Sequence, residues 1–140
     1  MILRSSLLLF VLVLSAARGA AAAPDTTADL RAARTLFEKN LQAIRDKNRD
    51  AYLACYLDST ALARTGPEGF QLGYAELAKT AGQGWPDHFT GEDLRLTPLR
   101  TGLVYGTYRY RVRYGNREES GLSERFFTQT PQGWKIAVST

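Results

Sequence analysis

The chain reads as an α+β domain, three N-terminal helices followed by a mostly antiparallel sheet, and three observations predict it. Beyond residue 25, apolar residues first recur at steps of three and four, then give way to strand-like alternation after Gly91. Turn-forming residues at Thr101-Gly102, Gly115-Asn116 and Pro131-Gln132-Gly133 divide that second half into four long strands. The 140 residues are 44% hydrophobic and 23% charged, as in an ordinary globular chain with one core. Helices first and a strand meander afterwards place the helices on one face of the sheet.

The first 22 residues read as a signal peptide and 23–140 as the domain. Arg4 supplies the positive start, Leu7 to Leu14 is an unbroken apolar run, and Ser15 to Ala23 is rich in small residues. That run is too short for a membrane span, which needs ~20 residues. Cleavage after Ala22 is expected, which implies export to the periplasm or beyond, with membrane contact only during export. Without Arg4 and Arg18 the chain keeps 16 basic against 14 acidic residues. So small an excess offers little to a phosphate backbone, and no nucleic-acid partner is expected. One cysteine, Cys55, and one histidine, His88, exclude a disulfide framework and a multi-cysteine or multi-histidine metal site. Neither a Walker-type loop nor a GxGxxG fingerprint occurs, so no cofactor is implied.

Leu30, Ala33, Phe37, Leu41 and Ile44 form one helical stripe, capped upstream by Thr26 or Thr27, and predict a helix over about 28–46. Lys47-Asn48 breaks it, and Arg49 to Tyr56 forms a second helix with Tyr52, Cys55 and Tyr56 on one side. Thr60 to Ala63 followed by Gly66-Pro67-Glu68-Gly69 reads as a hairpin. Gly73-Tyr74-Ala75-Glu76-Leu77 opens a third helix that ends near Gly82 or Gly84. The strands are then Asp93 to Arg100, Leu103 to Tyr114, Glu119 to Thr130 and Trp134 to Ser139. Within Leu103 to Tyr114 the even positions Val104, Tyr108, Tyr110 and Val112 are the set to bury, and Arg109, Arg111 and Arg113 face solvent. A three-residue turn at Gly115-Asn116-Arg117 would pair Tyr114 with Glu118 and put Leu122, Glu124, Phe126 and Thr128 on the same buried face.

This order of elements resembles the nuclear transport factor 2-like superfamily, in particular its SnoaL-like and ketosteroid-isomerase-like members. The residues that carry the likeness are Arg49-Asp50-Ala51-Tyr52-Leu53-Ala54-Cys55-Tyr56-Leu57-Asp58, Gly73-Tyr74-Ala75-Glu76-Leu77 and Gln132-Gly133-Trp134-Lys135-Ile136. The resemblance implies a cone, a curved sheet of mixed but mostly antiparallel pairing wrapped around the helices, with an internal pocket open at one end. It also implies a homodimer through the outer sheet face, where the hairpin's odd set would present Leu103, Tyr105 and Phe127. In the ketosteroid isomerases a tyrosine, a late-strand acid and an aspartate base do the chemistry. The resemblance places these positions on Asn40, Glu124 and Arg64. A guanidinium stays protonated and cannot serve as a base, so steroid isomerisation is not expected.

The expected site therefore holds Asn40, Tyr56, Arg64, Trp85, Tyr108 and Glu124. Arg64 would clamp an anionic group of a small, partly apolar molecule, or pair with Glu124. Glu124 and His88 are the candidate acid/base groups, and an Asp87–His88 pairing is the alternative to a plain loop. Tyr56, Trp85 and Tyr108 serve as pocket wall or core. The function expected is a small-molecule-binding protein without catalysis; a cofactor-free lyase, isomerase or hydrolase is the alternative.

Overall fold

A computed structural model describes residues 25–66 and 69–140. The expected signal peptide and the Pro67-Glu68 turn lie outside the described residues. Three helices come first: α1 (Thr27–Arg45), α2 (Arg49–Leu53) and, after one hairpin, α3 (Tyr74–Thr80). The strands are β1 (Ala63–Gly66), β2 (Gly69–Leu72), β3 (His88–Arg100), β4 (Leu103–Tyr114), β5 (Arg117–Thr130) and β6 (Gly133–Ser139). They form one sheet in the order β2-β1-β6-β5-β4-β3, antiparallel except where β1 runs parallel to β6. This is the α+β architecture expected, a mixed and mostly antiparallel sheet against the helices.

Helix α1 buries Ala33, Phe37, Leu41 and Ile44 of the predicted stripe against the sheet, with Leu36 beside them and Leu30 half-buried. Its first turn is tied to the β3–β4 turn, because Asp29 accepts the Gly102 backbone N–H at 2.7 Å. Asn48 caps α2 by accepting from the Ala51 N–H at 3.0 Å. Arg49 then donates to the carbonyls of Ala78 and Ala81 at 2.7 and 3.2 Å, which anchors the end of α3 beside α2.

The sheet curves where inward positions carry no side chain. A Cβ on Gly91 would come within 2.8 Å of Leu41 and 3.2 Å of Tyr108, and one on Gly106 within 2.8 Å of the Phe127 ring. Large side chains of neighbouring elements fill the space those glycines leave. A bulge between Glu92 and Arg95 lets β3 carry one extra residue opposite Tyr108 and bends the strand further. Strand β3 also starts at His88, five residues before the expected Asp93, because its ladder with β4 continues as far as His88 opposite Arg113.

Candidate functional site

The β4–β5 hairpin decides which side chains enter the cone. Tyr114 pairs with Arg117, so the turn is the two residues Gly115-Asn116 and not three. Gly115 sits at φ 58°, the left-handed backbone that a two-residue hairpin turn with glycine in first place requires. One residue fewer in the turn inverts the whole of β5. Tyr108 now faces Ser123, and Ser123, Arg125 and Phe127 join the buried face. Glu124 lies on the exposed outer face, where it accepts a hydrogen bond from the Tyr105 hydroxyl. That bond holds the Tyr105 phenol above its ordinary value. Glu124 is therefore outside the pocket it was expected to share with Arg64, and the alternative of an Arg64–Glu124 pair is not formed. The same inversion corrects the outer patch: Phe127 is wholly buried, and Leu122, 67% exposed, takes its place outside.

A cavity of about 1010 Å³ opens between the β1–β2 hairpin, the end of α3 and the tip of the β4–β5 hairpin. Tyr52, Leu77, Trp85, Phe70 and Tyr114 supply its apolar and aromatic lining. Tyr52 and Trp85 meet edge to face with centroids 5.2 Å apart. Two arginines line it. Arg117 is already neutralised by Glu119 at 2.8 Å. Arg64 is not: its Nε donates to Ser139 at 3.3 Å and its Nη1 to Gln71 at 3.1 Å. Among the described residues no carboxylate forms an ion pair with Arg64. Strand β1, held between β2 and β6, points this guanidinium over the Tyr56 ring, 5.6 Å from its centroid.

Beneath this mouth lies a second polar cluster. Tyr56 donates to the Tyr52 hydroxyl at 3.1 Å. Arg125, only 4% exposed, donates through Nη1 to the Asn40 side-chain oxygen and through Nη2 to the Tyr108 hydroxyl at 2.7 Å. Its guanidinium also lies 5.1 Å from the Tyr108 ring centre and 5.8 Å from that of Phe37. Burial pushes the Tyr52 phenol up, and the neighbouring Tyr56 adds to this. Burial would push Tyr56 up as well, but Arg125 and Arg64 outweigh it and hold that phenol below its ordinary value. Asn40, Tyr56 and Tyr108 are thus gathered in the interior, while Arg64 and Trp85 stand at the mouth.

Arg125 was not among the residues expected here. The signal for it was local: Gly-Asn is a two-residue hairpin turn, and that turn alone would have reversed the parity of β5. His88 is exposed and begins β3; Asp87, its partner only in the alternative reading, accepts the Gly115 N–H at 2.7 Å and approaches Lys47 at 4.0 Å. Among the described residues no Asp–His dyad is formed. Cys55 is fully buried, and burial pushes its thiol up. Among the described residues no group of three His, Cys, Asp or Glu side chains could hold a metal ion, and no helix is long and apolar enough to cross a membrane.

No protein-family model and no curated protein sequence matches the chain. Solved structures do. A nuclear transport factor 2-like protein of unknown function from Shewanella oneidensis is 14% identical with a TM-score of 0.67, covering 79% of this chain and 96% of its own. A nuclear transport factor 2-like superfamily protein from Salmonella enterica is 13% identical with a TM-score of 0.69, over 81% and 89% of the two chains. A third such protein of unknown function, from Pseudomonas putida, is 16% identical with a TM-score of 0.68, over 81% and 84%. At such identities the likeness is one of fold, and the fold is the nuclear transport factor 2-like cone.

Proposed function

We propose that this nuclear transport factor 2-like cone is an exported small-molecule-binding protein whose mouth takes a partly apolar anion, with Arg64 as the charge that orients it. The observation that carries the reading is the cavity itself: the aromatic rings of Tyr52, Phe70, Trp85 and Tyr114, with polar neighbours such as Gln71 and Thr80, around Arg64, which no carboxylate among the described residues neutralises. A pocket with apolar walls and a few placed polar groups is the usual form of a ligand site. A guanidinium fork suits a carboxylate or sulfonate, and the Nη2 of Arg64 makes no hydrogen bond among the described residues. Export rests on the Arg4, Leu7 to Leu14 and Ala20 to Ala22 pattern. Mass spectrometry of the exported fraction should find a chain beginning near Ala23; an intact Met1 there would refute export.

Acid–base chemistry, the alternative, would not fall to Glu124 or His88, both exposed. Tyr56, flanked by two guanidiniums, is the group on which it would rest.

Binding is tested with two fluorescent probes of similar shape, anionic anilinonaphthalene sulfonate and neutral N-phenylnaphthylamine. The folded protein should prefer the anion. Arg64→Gln should weaken the sulfonate roughly 10- to 150-fold, the worth of one charge-assisted hydrogen bond of about 1.5–3 kcal/mol. It should leave the neutral probe nearly unchanged. Equal losses for both probes, or none, would overturn the role of Arg64.

A further inference from the structure

The interior cluster around Arg125 carries an inference separate from the mouth. Arg125 and Asn40 are 4% and 0% exposed, and their side chains face each other from β5 and α1. Because the Asn40 oxygen accepts from Arg125, its amide nitrogen must be a donor, and that donor has no oxygen or nitrogen acceptor, the Cys55 sulfur being the only weak one beside it among the described residues. The Nε of Arg125 has none either. The Tyr108 hydroxyl accepts from Nη2, which leaves its own hydrogen to donate. The cluster is thus rich in donors and poor in acceptors, around a full positive charge that no described carboxylate meets. A buried charge is ordinarily paired, and leaving one unpaired in a dry interior is costly. Water could accept from these donors but would bring no charge. A singly charged anion does both.

We propose that Arg125, Asn40 and Tyr108 form an inner anion site that takes one monoanion of halide or small carboxylate size, deeper than the Tyr52–Tyr56 hydroxyl pair. One negative charge balances one guanidinium, and the Asn40 amide and the Arg125 Nε are the donors left to meet it. The position on both sides of Tyr56 fits this: Arg64 at the mouth and Arg125 within both hold that phenol below its ordinary value. The inner site does not depend on what the mouth binds, since Arg64 keeps Ser139 and Gln71 as its own partners.

The test is thermal unfolding of the whole domain in sodium chloride and, separately, sodium acetate, against Arg125→Met and Asn40→Asp. The Asn40→Asp change supplies the missing charge from the chain itself and keeps a partner for Arg125, so it folds even where Arg125→Met does not. General salt effects act on all three proteins; only site binding distinguishes them. The wild-type melting temperature should climb by about 5 °C for each tenfold rise in the bound anion above its dissociation constant. Asn40→Asp should start higher and lose that dependence, as should Arg125→Met. A response to chloride assigns a halide site; a response to acetate alone assigns a carboxylate site, the headgroup of an organic acid. Parallel salt responses in the wild type and Asn40→Asp would overturn the proposal and leave the donors to water.

Discussion

Asn40→Leu should destabilise the protein more than removing Arg125 itself. The substitution roughly keeps the side-chain volume but takes the acceptor from a guanidinium that is 4% exposed and has, among the described residues, one other hydrogen-bond partner, Tyr108. A hydrogen bond to a charged group contributes about 1.5–3 kcal/mol, and the donor left bare on the buried guanidinium adds its own desolvation cost. Asn40→Leu should therefore cost about 3 kcal/mol, or a melting temperature lower by roughly 10 °C in a domain of this length. Arg125→Met removes the charge together with the cost of its desolvation. It leaves only neutral Asn40 and Tyr108 short of a partner, at about 1–2 kcal/mol. The double variant should resemble Arg125→Met and be more stable than Asn40→Leu alone. Urea unfolding of the four proteins in one buffer, analysed as a thermodynamic cycle, reads this directly. The reasoning is refuted if Asn40→Leu costs no more than Arg125→Met, or if the two changes simply add.

The β5 register predicts that Phe127→Ala, at a wholly buried position, costs about 3–5 kcal/mol while Glu124→Ala stays within about 0.5 kcal/mol. Urea midpoints in the reverse order would restore the other face. Gly106→Ala should cost about 1–3 kcal/mol, because its Cβ would meet the Phe127 ring at 2.8 Å and Leu96 at 3.0 Å. A neutral result by calorimetry would show that the bend has room to spare. Cys55, whose thiol burial pushes above 9.0, should resist thiol reagents until the chain unfolds. The folded state holds the Cys55 proton more tightly, so this contribution is present at lower pH and lost as pH rises above the unfolded thiol value. The Cys55→Ala variant should lose less stability on that alkaline limb than the wild type. Tyr56, held below 10.0 by Arg125 and Arg64 against its burial, should add a tyrosinate absorbance step below that pH which Tyr56→Phe removes.

The elements were legible because each carries its own period and punctuation. Leu30 to Ile44 bury one stripe, and the strands end at Gly102, Gly115 and Gly133, all at positive φ. The parity of β5 was harder. Its even set, Leu122, Glu124, Phe126 and Thr128, and its odd set, Ser123, Arg125 and Phe127, are about equally polar. Alternation alone cannot choose between such faces, and the turn residues have to. Asn40, Tyr56 and Tyr108 reached the interior because they lie among strong apolar neighbours, and Arg64 reached the mouth because β1 is held between β2 and β6. Glu124 and Arg125 exchanged places because theirs is not. Burial of Arg125 runs against the habit of keeping charge in water, and its own Nε and the Asn40 amide, both left unpaired, are where sequence patterning had least to offer.

The most direct test of the binding reading is a crystal structure of the domain grown with anilinonaphthalene sulfonate. The sulfonate oxygens should lie within hydrogen-bond reach of Arg64, with the rings against Trp85, Tyr52 and Leu77 in the cavity mouth. Density found only on the outer sheet face, in the small groove of Asp93, Arg95 and Leu122, with the mouth unliganded, would contradict it.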